Sequence, residues 1–472
     1  MLVAGIDSST QSTKVVLCDA ADGTVVGQGS APHPAGTEVD PRAWWDALQR
    51  AGDGLLGRAA AIAVAGQQHG MVTLDGDGAV IRPALLWNDL RSATAADELV
   101  AELGGPRWWA EQTGSVPTAS FTVTKLRWLA EHEPQNAARV ARVLLPHDWL
   151  TWRLGADEPV TDRGDASGTG YFATAAGSWL PGVLATALGR DAATPRVAKP
   201  AEVVGRTASG ALIAPGTGDN MAAALGLGLE PGDVAVSIGT SGTAFAVTSV
   251  AAADPSGAVA GFADATGRFL PLVCTANAGL VLSAVAAMTG TDLAGLAQRA
   301  LAAGPGAGGL VLLPYFDGER TPNRPLATGV MAGLTTANAT PENIARAAIE
   351  GVLASLADAA DLLAASGVEM RRMLLIGGGA RSEAVRAMAP GIFGRDVYAP
   401  EPGEYVALGA ARQAAWALAG TAEPPAWPRP PGAQHGGEPQ FQVRERYAAL
   451  RDGTSSWPGG VAGDIGKEGQ ES

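Results

Sequence analysis

Apolar and polar positions fall into short alternating blocks from the first residue. An apolar run, Leu2 to Ile6, ends in the polar turn Asp7 to Thr13, and a second apolar-rich run covers Lys14 to Cys18. Asp22-Gly23 marks another turn ahead of Thr24-Val25-Val26. Strand-length runs bounded by turn residues predict a β-meander, here with a hydroxyl-rich first tip. A strand, a small hydroxylic tip and a strand return at Val234 to Val247, centred on Gly239-Thr240-Ser241-Gly242-Thr243. The economical reading is an internal duplication with one copy per domain, although two unrelated hairpins have the same shape.

Helix-period segments alternate with these strands. Pro41 to Leu56 follows Asp40, and Pro341 to Ala365 follows Thr340, each a capping residue with proline in the first helical position. Ala380 to Phe393 follows a glycine cluster, and Gln442 to Arg451 is the last helical stretch after a Pro- and Gly-rich segment, Glu423 to Gly437. Alternation through both halves predicts an α/β fold. With 472 residues the chain exceeds one ordinary core. The expected division is a domain over residues 1–221, a second over 222–450, with the boundary near Met221, and a disordered tail over 451–472.

A net charge of -14 argues against a nucleic-acid partner. Cys18 and Cys274 lie far apart and form no metal or redox spacing. The start of the chain lacks the basic residues of a signal peptide, and the longest apolar stretch, Ala278 to Met288, is too short for a membrane span. A cytoplasmic protein with no membrane partner is therefore expected.

Several segments carry candidate chemistry. The tip Asp7 to Lys14 offers hydroxyls and backbone N–H groups to phosphate oxygens, and Asp7 is placed to orient a hydrated Mg²⁺; an exposed polar hairpin would look the same. Gly239 to Thr243 supplies matching donors, and the pair reads as a phosphate clamp across a cleft. Leu374 to Ser382 is a strand, a glycine turn and a helix start, but not a Walker A loop, because no Lys-Ser/Thr pair follows at the required spacing. Asp219, in Gly216-Thr217-Gly218-Asp219-Asn220, is either a base in a glycine-flanked turn or a helix cap, and spacing alone favours the cap. Gln68 and His69, at the end of the strand-like run Ala61 to Ala65, suit sugar oxygens, or form an ordinary loop. Trp87, in Trp87-Asn88-Asp89, reads as an aromatic wall.

Together these segments resemble the FGGY family of carbohydrate kinases, with the two-domain actin-like ATPase (ribonuclease H-like) fold, internally duplicated around a cleft. The likeness runs from Gly5 to about Leu450 and includes Ser120 to Leu129 and Gly329 to Leu334 through Asn343-Ile344 to Glu350. Within the family the segments Gly66 to Gly70, Leu85 to Asp89, Leu145 to Leu150, Asp165 to Thr169 and Leu313 to Pro322 are most similar to the members that phosphorylate D-xylulose. The resemblance implies ATP and Mg²⁺, with Asp219 as catalytic base. It also implies Gln68, His69, Asn220 and Trp87 on the sugar. Thr10 and Thr240 would meet the phosphates, Gly378, Gly379 and Ser382 the nucleotide, and Asp7 the metal through water. Gln68 stands where Met is commonest, Ser8-Ser9 replace a bulky residue and Gly, and Thr217 interrupts the glycine run. Ribulose, gluconate or glycerol are the alternative substrates. A non-catalytic actin-like ATPase or sugar-responsive regulator is the alternative class, which the lack of a basic DNA-binding appendage and the presence of Asp219 disfavour. A homodimer is left open.

Overall fold

The computed structural model describes residues 1–456, which fall into two compact units. Met1–Pro231, Val247–Pro271 and Gly403–Pro430 form the first, and Gly232–Ala246, Leu272–Pro402 and the described residues from Pro431 onward form the second. The division differs from the one expected at Met221. That residue lies inside the helix Asp219–Leu227, all of which belongs to the first unit. The first unit also takes in two later segments, because the alanine-rich helix Tyr405–Ala419 packs on its sheet.

In the first unit, strands β1 (Leu2–Ser8), β2 (Ser12–Asp19), β3 (Val25–Pro32), β4 (Ala61–Gly66), β5 (Gly205–Arg206) and β6 (Leu212–Ile213) lie in the order β3-β2-β1-β4-β6-β5. A short strand β7 (Thr217–Gly218) runs parallel to the end of β4, Thr217 opposite Ala65 and Gly218 opposite Gly66. The expected turn from Asp7 to Thr13 is tighter than its composition suggests. Asp7 and Ser8 remain in β1, paired with Lys14 and Thr13 of β2.

The pleat sends alternate residues to opposite faces, and the two faces are built differently. Ile6, Val15, Leu17, Ile62 and Val64 meet Trp44 and Leu48 of the helix Pro41–Ala51. Val3, Val16, Ala61, Ala63 and Ala65 meet the alanines of the helix Tyr405–Ala419. On this second face a Cβ on Gly5 would sit 1.9 Å from the Ala407 carbonyl oxygen and 2.3 Å from the Ala411 nitrogen. Only glycine allows that backbone-on-backbone approach. Where the helices Asp219–Leu227 and Tyr405–Ala419 cross, a Cβ on Gly226 would meet the Tyr405 oxygen at 2.1 Å and one on Gly409 the Ala222 oxygen at 1.8 Å.

The second unit repeats the frame. Strands β8 (Asp233–Ile238), β9 (Gly242–Ala246), β10 (Phe269–Thr275), β11 (Arg372–Ile376), β12 (Val397–Pro400) and β13 (Gly432–His435) lie in the order β10-β9-β8-β11-β12-β13, with Leu272 to Thr275 of β10 on β9. In each unit the first hairpin is antiparallel and its first strand runs parallel to the fourth. In the first unit the fourth strand runs parallel to the sixth, which pairs antiparallel with the fifth; in the second the fourth runs parallel to the fifth, which pairs antiparallel with the sixth. The duplication expected from the two hairpins is therefore a duplication of whole sheets.

Helix starts match their caps better than helix ends match the periodicity. Asp40 accepts from the Arg42 amide and Thr340 from the Asn343 amide. The first helix stops at Ala51 rather than Leu56, since Gly52 caps it and Gly54 takes a left-handed backbone. The helix expected from Ala380 starts at Glu383, behind a short turn and a Ser382 cap. The last helix runs Phe441–Gly453, so the first residues of the expected tail are helical. Residues 457–472 of that tail lie outside the described residues. Among the described residues no single helix is long and apolar enough to cross a membrane.

Candidate active site

Most of the candidate residues sit in the first unit, at the ends of β1, β4 and β7. Asp219 is the first residue of its helix and Gly218 is the cap, with no side-chain capping bond. The capping reading of Asp219 therefore fails. Its Oδ1 accepts from the Asn220 amide at 2.8 Å and from Asn220 Nδ2 at 2.9 Å. Asn220 Nδ2 also donates to Gln68 Oε1 at 3.0 Å. Three candidates, Asp219, Asn220 and Gln68, thus form one hydrogen-bonded chain. Gln68 is buried, and its Nε2 has no hydrogen-bond partner among the described residues. A buried amide without a partner is costly, and a sugar hydroxyl would satisfy it.

His69 takes a left-handed backbone, φ 68°, unusual for a residue with a side chain and frequent where function fixes geometry. Its Nδ1 lies 2.5 Å from the Gly168 carbonyl oxygen. A carbonyl only accepts, so Nδ1 carries the proton, and in the neutral ring Nε2 is the acceptor. Thr122 Oγ1 donates to the His69 carbonyl at 3.0 Å, and the rings of Phe121 and Phe262 stand 4.7 and 5.7 Å from the imidazole. Phe121 lies in the family-like run Ser120 to Leu129, but nothing in the sequence ties it or Phe262 to His69, because contacts so distant along the chain leave no local pattern.

Burial, then the Asp7 charge, then the Asp165 charge raise Asp219 to about 7, from an ordinary 3.8. A carboxylate near neutrality is matched to accepting a proton at physiological pH. Asp7 is raised to about 6, chiefly by burial, against the opposing effects of the Ser9 hydroxyl bonded to it and of Lys14. Asp7, buried, and Asp219, partly buried, repel one another and so favour a cation between or beside them. Among the described residues no group of three or more His, Cys, Asp or Glu side chains is arranged to hold a metal. Two carboxylates are a donor set that suits Mg²⁺, a hard ion that keeps most of its water and takes one or two carboxylates beside phosphate oxygens.

Trp87, expected as an aromatic wall with polar neighbours, is tied to the first hairpin tip. Its indole N–H donates to Thr10 Oγ1 at 2.8 Å, so it braces the first hairpin tip.

In the second unit, the tip Gly239-Thr240 is exposed. Its carbonyls are tied down by the start of the helix Gly279–Met288: Gly279 N–H donates to Gly239 O at 2.8 Å, and those of Ala278 and Leu280 to Thr240 O at 3.3 Å. The three glycines after β11 divide by role. A Cβ on Gly377 or Gly379 would strike Ile238, at 2.7 and 2.3 Å, whereas one on Gly378 would enter open space. Packing accounts for Gly379, and Gly378 leaves its backbone facing open space. Ser382 caps the helix Glu383–Phe393 by accepting from Val385 N at 3.5 Å.

Comparison with known proteins agrees with this arrangement of two similar units. Residues 2–226 match the N-terminal domain, and residues 234–418 the C-terminal domain, of the FGGY family of carbohydrate kinases. The chain is 51% identical over 436 residues to a xylulose kinase of Streptomyces coelicolor, covering 89% of this chain and 88% of that one. It is 49% identical to a xylulose kinase of Streptomyces rubiginosus over the same shares. The crystal structure of xylulose kinase from Bifidobacterium adolescentis superposes with a TM-score of 0.89 at 45% identity, covering 96% of this chain and 99% of that one. With a duplicated sheet, a near-neutral carboxylate at a helix start and both halves matched in order, the chain belongs to the FGGY family of carbohydrate kinases and has their two-domain, actin-like ATPase fold.

Proposed function

We propose that this kinase transfers the γ-phosphate of ATP to the terminal hydroxyl of D-xylulose, giving D-xylulose 5-phosphate, in the cytoplasm. The observation that carries the reading is the chain from Asp219 through Asn220 to Gln68, which links a near-neutral carboxylate to an amide suited to a sugar. The extensive identity to xylulose kinases supports the choice of sugar.

Phosphoryl transfer depends on positioning and charge stabilisation more than on covalent chemistry. Asp219 accepts the proton of the attacking hydroxyl, while Asn220 orients its carboxylate. Gln68 and His69 hold the remaining hydroxyls, Gln68 as donor through Nε2 and His69 as acceptor through Nε2. Thr10, braced by Trp87, and Thr240 give hydroxyl and backbone donors to the phosphates. Gly378 leaves the backbone open to the nucleoside, and Ser382 acts there only through the helix it caps. Asp7 would orient the water shell of Mg²⁺, an ion that supplies charge neutralisation on the phosphates when bound. An ADP-release assay across pentuloses, hexuloses, gluconate and glycerol tests the reading. D-xylulose is expected to have the highest kcat/KM, and a tenfold advantage for any other sugar would overturn it.

A further inference from the structure

Behind the candidate base lies a fully buried group of ionisable side chains that the proposed chemistry does not use. His147 Nδ1 contacts Asp165 Oδ2 at 2.6 Å, and Nε2 faces Asp148 Oδ1 at 3.2 Å. Asp148 Oδ2 accepts from the Leu145 amide at 2.8 Å. Asp162 caps the short helix Arg163–Ala166, accepting from Gly164 N and Asp165 N at 2.9 Å each. Its Oδ2 also accepts from Thr217 Oγ1 at 2.7 Å. Thr217 lies in β7, two residues before Asp219.

We propose that the segment Asp162 to Gly168, anchored by His147, is a template holding the base strand and the sugar loop in register, with Asp162, Thr217 and His147 as positioning residues for phosphoryl transfer. The segment grips both elements, one at each end. At its start Asp162 holds Thr217, and through it the strand that delivers Asp219. At its end the Gly168 carbonyl fixes the His69 ring. His147 wedges between the same two elements: a Cβ on Gly66, at the end of β4, would meet His147 Cβ at 3.0 Å, and one on Gly216, ahead of β7, would meet His147 Cδ2 at 2.7 Å. The approach at Gly164 is as close, since a Cβ there would lie 2.7 Å from Asp162 Oδ2 and 3.0 Å from Thr217 Oγ1. A buried, charged network is a costly way to build a core, because well-packed apolar residues of equal volume are often as stable or more so. What it supplies instead is directional contact at fixed distances, and those contacts end on the two elements the reaction must align. The threonine that interrupts the glycine run is thus the residue that attaches the base strand to the template.

The inference rests on Asp219 and His69 having the roles proposed above, and the experiment separates the two. Thr217→Val keeps the shape and removes the hydroxyl; Thr217→Ser keeps the hydroxyl. On the best sugar of the wild-type panel, Thr217→Val should lower kcat about tenfold to a hundredfold, the scale of a small misplacement of a reacting group. Its sugar KM should stay within about threefold, and Thr217→Ser should restore most of kcat. Asp162→Asn, which preserves volume, should lower kcat in the same direction, with sugar binding by calorimetry retained. A Thr217→Val kcat within about threefold of wild type, or a Thr217→Ser variant as slow as Thr217→Val, would overturn the template. A wild type that prefers another sugar would overturn the substrate reading and leave the comparison of variants intact. Activity on no sugar would overturn both.

Discussion

The two hairpins occupy the same place in the same six-strand frame, yet their tips differ in chemistry. In the first, Asp7 stands at the strand end, buried, bonded to Ser9 and close enough to Asp219 to raise it. In the second, the corresponding position two residues ahead of the glycine is Ser237, and the tip beyond it is neutral and open. The loops after the fourth strand diverge in the same way. After β4 come Gln67, Gln68 and His69, whose side chains are buried; after β11 come three glycines, one facing open space. A repeated backbone thus leaves chemistry free to differ, because each tip answers to what is packed behind it. In the first unit that backing is a set of acids; in the second it is the start of an apolar helix.

Asp219→Asn bears hardest on this contrast. Removing the proton acceptor should lower turnover by about 10²–10⁴-fold while both ligands still bind, the usual contribution of a general base. A variant keeping more than about a tenth of wild-type turnover would return the acid–base role to another carboxylate, Asp7 or Asp165. Next in size is Gly5→Ala. The corresponding residue of the second unit is already alanine, Ala235, so a symmetric frame would tolerate the change. The 1.9 Å approach of the Ala407 carbonyl predicts instead a loss of about 3 kcal/mol, read by denaturant unfolding.

The pH profile tests the acid tip directly. Asp219 must be ionised to accept a proton, and its value is about 7. kcat/KM for the sugar should therefore rise about tenfold per pH unit up to neutrality and then level. An acid limb at the ordinary carboxylate range would show that Asp7 and burial do not act on Asp219 as described. The smallest effect is expected from Trp87→Phe, which keeps the ring and removes the bond to Thr10. Loss of one neutral hydrogen bond should raise the KM for ATP about threefold, and leave the sugar KM unchanged. An effect on the sugar alone would return Trp87 to the role of sugar wall.

Much of this was legible in the sequence wherever the cause is local. The hairpins, the caps at Asp40 and Thr340 and the loop Gln68-His69 are set by neighbours a few residues away, and all are present. Asp219 is ambiguous because spacing alone favours a cap while its glycine-flanked turn also suits a base; Gly218 taking the cap position removes the first reading. Trp87 bonding to Thr10, Asp162 bonding to Thr217, and the return of the helix Tyr405–Ala419 to the first sheet depend on pairings across tens to hundreds of residues. Apolar periodicity says which face is buried, not against what. Gly379 is ambiguous for a related reason, since a ligand and the neighbouring Ile238 both require a missing side chain.

The layer between the first sheet and the helix Tyr405–Ala419 has a consequence for how such a chain changes over generations. Most of its residues are already glycine and alanine, so most codon changes there add volume where atoms touch, and few larger side chains, Val3 and Val16 among them, stand nearby to be trimmed in compensation. The opposite face, built from Trp44, Leu48 and Ile62, can trade size between partners. A mutational library should therefore show near-invariance at Gly5 and Ala63 on one face of the sheet and at Gly226 and Gly409 where the two helices cross, set beside an opposite sheet face that drifts.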